Sequence, residues 1–485
     1  MDVWKLLHEF GHYGVAALTV VLSTIASGHA LLHKRESRAA VSWVGFVWLV
    51  PLVGAVLYFI FGVNRIKRRA LELRGDMERF QSHCTVEPCP PSILEELLPH
   101  DSAHVAALGT VMDRVAGRPL LPGNLIEPLV NGDTAYPVML DAIASARESI
   151  TLSTYIFDRD EAGLAFARAL GDAVRRGVQV RVLIDATGTR YSWPSILGEL
   201  GREKITYGRF LPTFALWRLM SMNLRNHRKT LIIDGRLGFT GGMNIRVGHW
   251  LSKRPASPVQ DIHFRIEGPA VAQLQEVFVD DWRFTTRETL RGPLWFPPLE
   301  PRGPVLARGI ADGPDDDTDP LRWAILAGLA VAKHSVRIVT PYFLPDPPVI
   351  SALNLAAMRG VQVDIILPSQ CNLPFVLWAS RAQWWQVLAL GCRIWLTPPP
   401  FDHSKLMLVD GAWSLVGSAN WDPRSLRLNF ELNLECYDPA LAAKLEQIVK
   451  EKLKAAREVT LAEVDGRSLP SKLRDGAARL MAPYL

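Results

Sequence analysis

The stretch that decides the fold is His227-Arg-Lys-Thr-Leu-Ile-Ile-Asp234, followed by Gly241-Gly-Met-Asn244. The pattern returns as His403-Ser-Lys-Leu-Met-Leu-Val-Asp410 and Gly417-Ser-Ala-Asn420, with 17 residues from His to Asn in both copies. In an extended strand, residues two apart point to the same face, so each His and its Lys can meet one ligand. The apolar run after each Lys predicts a buried strand that ends at the Asp, and the small residues that follow let the backbone approach a bound anion.

The sequence around the two motifs is repeated as well. Arg-Gly-Val-Gln-Val occurs at 176–180 and again at 359–363, displaced by 183 positions, while Tyr155 and Tyr342 are displaced by 187. Strand-like segments alternate with helix-like segments in both parts, and a Pro- and Gly-rich stretch at 291–304 separates them. The pattern predicts an α/β fold made of two similar α/β/α sandwich lobes related by a pseudo-twofold.

Composition excludes several classes of protein. The 485 residues carry a net charge of +5 with 48% hydrophobic residues, which excludes intrinsic disorder. The modest charge, without a dense basic run, argues against a nucleic-acid partner. Five scattered cysteines exclude a disulfide scaffold, and Cys84 and Cys89 beside His83 lack a second pair of ligands, so we expect no metal site.

Two apolar stretches near the N-terminus, Tyr13–Leu32 and Val41–Val63, are each long enough to cross a membrane. The alternatives are a cleaved signal peptide for the first stretch and buried helices of a soluble core for both. We expect a transmembrane hairpin, whose loop holds Lys34, Arg35 and Arg38. The other side carries seven basic residues, which orients both termini to the cytoplasm. These are Lys5, Arg65, Lys67, Arg68, Arg69, Arg74 and Arg79.

These observations predict the order of the domains along the chain. We expect a transmembrane hairpin at 1–70, a linker region at 71–120, a first lobe at 121–292, a second lobe at 305–455 and a C-terminal tail at 456–485.

The paired motifs suit displacement at a phosphodiester without a metal or other cofactor. A neutral imidazole can attack phosphorus, and a second, protonated imidazole can donate to the departing alkoxide. Two lysines and two asparagines can hold the non-bridging oxygens. One copy supplies half of this set, so the two copies should meet. The residues concerned are His227, Lys229 and Asn244 in the first copy and His403, Lys405 and Asn420 in the second.

Each imidazole also needs a partner that fixes its tautomer. Counted from the His of its own copy, the candidates are Asp261, 34 residues past His227, and Glu431, 28 residues past His403. A single motif of this length is common by chance, but two complete copies at equivalent places in a duplicated sequence are not.

The paired pattern resembles that of the phospholipase D superfamily. Within it, the N-terminal spans, the phrase Tyr155-Ile-Phe-Asp-Arg-Asp160 and the run Asn420-Trp-Asp-Pro-Arg-Ser-Leu-Arg-Leu-Asn-Phe-Glu431 are similar to the bacterial cardiolipin synthases, over nearly the whole chain. The resemblance implies two lobes with both motifs in one cleft. It also implies transfer of a phosphatidyl group from one phosphatidylglycerol to another with release of glycerol.

The resemblance implies roles for individual residues. His227 and His403 would be nucleophile and general acid/base, with His227 favoured as the nucleophile. The lysines and asparagines would contact phosphate, and Asp234 and Asp410 would support the catalytic motifs. Asp261 and Glu431 would orient the imidazoles. Gly242 stands where the second copy has Ser418, and a hydroxyl that reaches the substrate there would make the two half-sites differ in polarity.

Two aromatic, apolar stretches, 209–222 and 374–390, precede the motifs, and we expect one or both to dip into the bilayer interface. Ordinary core helices are the alternative for the second. Water as acceptor would make the enzyme a phospholipase D that releases phosphatidic acid. A nuclease and a catalytically dead lipid-binding scaffold are the remaining alternatives. The expected location is the bacterial inner membrane, multi-pass, and a homo-oligomer is left open.

Overall fold

The computed structural model describes residues 3–34, 37–62, 80, 86–211, 224–314 and 318–481. By its internal contacts the chain divides into two compact units, residues 1–72 and 73–485, which are described separately. The basic residues expected after the second span, His83 with Cys84, and most of the aromatic stretch 209–222 lie outside the described residues.

The N-terminal unit contains one long apolar helix, α1 (Val3–His33). Its segment His12–His33 is long and apolar enough to cross a membrane. The side chains of Ala26 and Ala30 are buried against Tyr58 within this unit, whereas most of the larger apolar side chains of α1 face outward. One apolar span is therefore present among the described residues of this unit.

The second predicted span is not one continuous helix. Proline has no N–H to donate and restricts the residue before it, so the helix ends ahead of Pro51. Val50 accordingly leaves the helical region, with φ −129° and ψ 73°. The segments are α2 (Ser37–Leu49), α3 (Pro51–Leu57) and a π-turn at Tyr58–Gly62.

The second unit is built on a mixed sheet, to which sixteen strands of the described residues belong. The two motif strands, Thr230–Ile233 and Leu406–Val409, are buried along their whole length, which explains their apolar runs. The strands of this unit are β1 (Leu121–Val130), β2 (Ser149–Thr154), β3 (Gln179–Asp185), β4 (Thr206–Phe210), β5 (Arg225–Asn226), β6 (Thr230–Ile233), β7 (Leu237–Gly241), β8 (Val259–Gln260), β9 (Ile262–Glu267), β10 (Val305–Asp312), β11 (Ser335–Val339), β12 (Gln362–Pro368), β13 (Arg393–Thr397), β14 (Phe401–Asp402), β15 (Leu406–Val409), β16 (Trp413–Gly417), β17 (Asn429–Tyr437) and β18 (Arg457–Val459).

The strand order is the same in both directions from the middle of the sheet, where β1 pairs with β10. On one side it runs β9-β7-β6-β2-β3-β4, and on the other β17-β16-β15-β11-β12-β13, with β18 added at that edge. In each series the last three strands are parallel, while the motif strands β6 and β15 pair antiparallel with their neighbours. The predicted α/β class is confirmed.

Helices cover both faces of this sheet. Asp160, Asp346 and Asp438 cap three of them, each carboxylate accepting the N–H three residues on. The helices are α4 (Pro91–Leu97), α5 (Ala106–Val115), α6 (Asn131–Ser145), α7 (Glu161–Arg175), α8 (Leu197–Arg202), α9 (Ala270–Thr286), α10 (Pro320–Val331), α11 (Pro347–Met358), α12 (Pro374–Arg381), α13 (Trp384–Leu388), α14 (Pro439–Ala455), α15 (Leu461–Asp465) and α16 (Leu469–Leu480).

A core cluster shared by the two copies joins them. Each copy has its own cluster of buried apolar side chains, with Phe166 in the first and Leu353 in the second. The shared cluster brings Val271 of α9 together with Leu434 of β17 and Val449 of α14. Each such side chain contributes about 1.5–3 kcal/mol when buried. The contact between the copies is therefore part of the hydrophobic core, which fixes the two motifs relative to each other.

The segments on either side of the repeat pack against the second copy. Asp113 on α5 forms an ion pair with the fully buried Arg308 of β10, and His104 lies 2.7 Å from the Asp410 carboxylate. At the other end, β18 pairs antiparallel with β13, and Ala478 of α16 packs beside Val376 of α12.

Candidate active site

Each motif is tied by its backbone to the opposite copy. The strand β5, just before His227, pairs with β17, and the N–H of His227 donates to the Phe430 carbonyl at 2.9 Å. The strand β14, just before His403, pairs with β8, and the N–H of His403 donates to the Gln260 carbonyl at 2.8 Å. Each imidazole therefore stands beside the residue that follows the carbonyl to which its own N–H donates.

Those residues are the two candidate carboxylates, and they serve the histidines crosswise. His403 Nδ1 lies 2.8 Å from Asp261 Oδ2, and His227 Nδ1 lies 3.2 Å from Glu431 Oε1. The assignment of each acid to the His of its own copy is therefore wrong. The sequence order misleads because Asp261 follows Gln260 and Glu431 follows Phe430, which bond to the opposite motif. The Asp261 carboxylate holds the proton on Nδ1 of His403 and leaves the lone pair on Nε2, and the longer contact with Glu431 favours the same tautomer of His227.

The two motif lysines are buried in the same space as the imidazoles. Lys229 is 2% exposed and Lys405 is 5% exposed, and each Nζ donates to the carbonyl of the preceding motif His. Burial lowers the pKa of Lys229 to about 7 and that of Lys405 to about 8. The charge of Lys405 further lowers the pKa of Lys229. A bound anion would relieve the repulsion between these two ammonium groups in the desolvated site.

The surroundings of both imidazoles favour the neutral form. Burial and then the neighbouring lysine lower the pKa of His227 below its usual value, and the same two causes lower the pKa of His403 further. Burial raises the pKa of Asp261. Burial would also raise the pKa of Glu431, but His227 and Lys229 outweigh it and hold that pKa below its usual value. Neutral imidazoles have the lone pair that nucleophilic attack requires.

The difference between Gly242 and Ser418 is explained by the carboxylate that lies next to each residue. The Ser418 hydroxyl donates to Glu431 Oε2 at 2.6 Å and accepts from the N–H of Leu432 at 3.0 Å. At Gly242, a Cβ would lie 2.4 Å from Asp261 Oδ1. A substrate contact at Gly242 and Ser418 stays a prediction, and in the structure the Ser418 hydroxyl is already engaged with Glu431. Ser418 supports Glu431, and Gly242 leaves room for Asp261.

The motif asparagines keep donors available. The Asn244 side-chain oxygen accepts from the N–H of Ile156 at 3.1 Å, and its amide nitrogen has no partner among the residues that the structure describes. The Asn420 amide donates one hydrogen to Ser425 Oγ at 3.2 Å, which leaves the second. Each amide can therefore donate to an added acceptor.

Asp234 and Asp410 lie at the far end of their strands, away from the histidines. Asp234 accepts backbone N–H bonds from 147, 148 and 149, and Asp410 accepts them from 333, 334 and 335. Both have a positive φ, 51° and 49°, at the turn after the motif strand. Their role in supporting the motifs stays a prediction, and the structure shows both carboxylates bonded to the backbone at the strand end opposite the histidines.

Several aromatic residues join the site, and the sequence marked them only as repeats. The ring of Tyr155 lies 4.8 Å from that of His227 and 5.8 Å from the Lys229 ammonium. In the second copy the rings of Tyr342, Phe401 and His403 follow one another at 6.2 and 6.0 Å. The repetition of the tyrosine, at a displacement close to that of the rest of the repeat, was the signal that could have placed Tyr155 and Tyr342 here.

Comparisons with known proteins agree with this geometry. The profile described as "Cardiolipin synthase, PLD-like domain" matches residues 139–282 and 325–453, more than half of the chain. The profile "Phospholipase_D-nuclease N-terminal" matches residues 21–62. The chain is 32% identical over 478 residues to cardiolipin synthase A of Pseudomonas putida, covering 98% of both chains. It is 32% identical over 465 residues to that of Pseudomonas fluorescens, covering 96% of both.

Among solved structures, the fold is similar to that of phosphatidylserine synthase from Haemophilus influenzae. The TM-score is 0.61 at 14% identity, over 78% of this chain and all of that one. This likeness concerns the fold alone. On the paired motifs, the profile match and the full-length relatives, the chain belongs to the cardiolipin synthase family of the phospholipase D superfamily.

Proposed function

We propose that this chain makes cardiolipin by moving a phosphatidyl group from one phosphatidylglycerol to the hydroxyl of a second, with release of glycerol. The observation that carries the proposal is the crosswise set in which each imidazole is held by the other copy's carboxylate. The family, with its full-length cardiolipin synthase relatives, supplies the substrate.

The first half-reaction forms a covalent phosphatidyl-histidine. The Nε2 lone pair of one imidazole attacks phosphorus, and the bond from phosphorus to the glycerol oxygen breaks. The second imidazole, protonated once the phosphate anion raises its pKa, donates its proton to that oxygen. Lys229 and Lys405, with the Asn244 and Asn420 amides, hold the non-bridging oxygens. The resemblance favours His227 as the nucleophile.

The second half-reaction reverses these roles. The second imidazole, now neutral, takes the proton from the primary hydroxyl of another phosphatidylglycerol. The resulting oxygen attacks phosphorus, the bond to the histidine nitrogen breaks, and cardiolipin leaves. Water in place of the lipid hydroxyl would give phosphatidic acid through the same steps, which is the alternative function.

The same proposal covers the organisation of the chain. The chain forms two lobes related by a pseudo-twofold, residues 121–292 and 305–455. Both lobes contribute residues to the site, so the chemistry needs no second molecule of the protein. The first 70 residues form a hairpin in the bacterial inner membrane with the catalytic part in the cytoplasm. Residues 71–120 and 456–485 flank the lobes. The partners are phospholipid and membrane, not nucleic acid.

Apolar side chains on the surface of the catalytic unit support contact with a bilayer. Leu469, Leu473 and Leu480 line one face of α16 and are 68%, 65% and 79% exposed. In the second aromatic stretch, Trp385 is 48% exposed, whereas Trp384 is 4% exposed and donates to Ser380. An exposed leucine stripe with basic neighbours is typical of helices that lie in the membrane interface.

The experiment uses the purified full-length protein with phosphatidylglycerol alone, in a metal chelator. Lipids and released glycerol are quantified by mass spectrometry. Cardiolipin with equimolar glycerol from the wild type, and neither from His227→Ala or His403→Ala, is the expected result. Phosphatidic acid as the main product would make the chain a hydrolase. Trapping of the phosphatidyl adduct on His403 instead of His227 would reverse the assignment of nucleophile.

A further inference from the structure

Arg225 lies on the same strand face as the first catalytic pair. Along the extended segment from β5 into β6, alternate residues point to opposite sides. Asn226 and Arg228 point away from the cleft and both bind Asp281, at 2.9 and 2.5 Å. Arg225 therefore shares the face of His227 and Lys229. No carboxylate lies within ion-pair distance of it among the residues that the structure describes.

A second arginine, Arg424, lies beside it on the opposite copy. Arg225 stands in register with Asn429 in the pairing of β5 with β17. The turn before β17 is closed by the N–H of Asn429, which donates to the Arg424 carbonyl at 2.9 Å. Burial lowers the pKa of Arg424, and the charge of Arg225 lowers it further. Two cations thus share one partly buried space.

Tyrosines connect this space to the catalytic histidine. The rings of Tyr155 and Tyr191 lie 6.0 Å apart, and both phenols act electrostatically on Arg424. Acids act on both arginines, and among the described residues these include Asp185 on Arg225 and Asp422 on Arg424. The Asp185 carboxylate is already held by backbone N–H groups, and burial raises the pKa of Asp422 to about 6.

The other half of the cleft has no counterpart to this charge at the matching position. The residue two before the motif His is Arg225 in the first copy and Phe401 in the second. The ring of Phe401 lies 6.0 Å from that of His403, with Tyr342 behind it. The cleft is therefore cationic on one side and aromatic on the other, although the catalytic residues themselves are nearly symmetric.

The proposed reaction requires two phosphates at once, while the motif lysines and asparagines surround only one. We propose that Arg225 and Arg424 form a second anion subsite, which binds the phosphodiester of the acceptor lipid while its glycerol hydroxyl reaches the reacting phosphorus. This inference rests on the proposed function and deepens it. The subsite would favour an anionic phosphoglycerol acceptor over water, because water gains nothing from the two guanidinium groups.

The test compares two acceptors in the full-length enzyme. Phosphatidylglycerol is supplied together with ethanol, a small uncharged alcohol, and cardiolipin and phosphatidylethanol are measured in the same reaction. The loss of one charge-assisted hydrogen bond to phosphate weakens binding by about 1.5–3 kcal/mol, which is about tenfold or more in the dissociation constant. We expect Arg225→Gln and Arg424→Gln each to lower the ratio of cardiolipin to phosphatidylethanol about tenfold, and Arg225→Lys to restore part of it.

The matched control is Arg427→Gln, an exposed arginine of the same turn that pairs with Asp346 at 3.5 Å, for which we expect the wild-type ratio. Because a ratio is measured, partial unfolding of a variant does not imitate the result. An unchanged ratio in Arg225→Gln and Arg424→Gln would overturn the subsite. A wild type that transfers to ethanol but makes no cardiolipin would instead overturn the proposed function.

Discussion

Gly242 offers a sharp test of the crosswise orientation of His403. A methyl group at this position would stand 2.4 and 2.6 Å from the two oxygens of Asp261, far inside any ordinary contact. The carboxylate must move by about 1 Å, which breaks its 2.8 Å bond to His403 Nδ1. Displacements of this size in a catalytic group cost about 100-fold in rate. We therefore expect Gly242→Ala to lower kcat for cardiolipin synthesis about 100-fold.

The assay measures initial rates at saturating phosphatidylglycerol by mass spectrometry, with circular dichroism and thermal melting as checks of folding. The matched control is Ser418→Ala at the equivalent position. It leaves Glu431 its Asn429 partner at 3.0 Å and introduces no overlap, so we expect a loss of about tenfold or less. A folded Gly242→Ala enzyme with the wild-type kcat would refute the role given to Asp261.

Four further predictions address charge, structure and membrane contact. Lys229→Met should be inactive. Because the pKa of Lys229 is lower in the folded than in the unfolded chain, chemical denaturation should find the wild type gaining stability relative to this variant as pH rises from about 7 toward about 10. The KM for phosphatidylglycerol should rise above about pH 8, as Lys229 and Lys405 lose their protons at about 7 and about 8, which initial rates from pH 6 to 9 would reveal. Asp234→Ala should lower the free energy of unfolding by about 1–3 kcal/mol and leave the pH profile unchanged, whereas a shifted profile would indicate a catalytic role. Leu469→Ser combined with Leu473→Ser should slow synthesis in phosphatidylglycerol vesicles but not in detergent micelles, and equal rates in both would contradict membrane contact by α16.

The sequence was sufficient for the strand faces and for bringing the candidate histidines and lysines together. Period-two alternation placed His227 beside Lys229 and His403 beside Lys405 in one site, because side-chain direction in a strand is a local property. The repeat likewise predicted the α/β class. The crosswise carboxylates were not predictable in this way. They depend on which strand pairs with β5 and β14, and that pairing is set by packing between the copies.

Other differences have equally specific causes. The break of the second apolar span was visible as Pro51, but an apolar composition alone cannot distinguish one long helix from two short ones. The contact of Ser418 with Glu431 could not be predicted, because a motif gives positions and not partners. The backbone partners of Asp234 and Asp410 could not be predicted for the same reason, since only the folded chain brings the backbone of a distant loop to each carboxylate.

The crosswise carboxylates make each half of the site dependent on the other copy. Glu431 orients His227 and Asp261 orients His403, and one shared hydrophobic core holds the two copies together. A substitution that loosened this core would therefore disturb both imidazoles at once. The duplicated sequence has in this sense become a single indivisible enzyme, because neither copy by itself supplies the acid that its own histidine contacts.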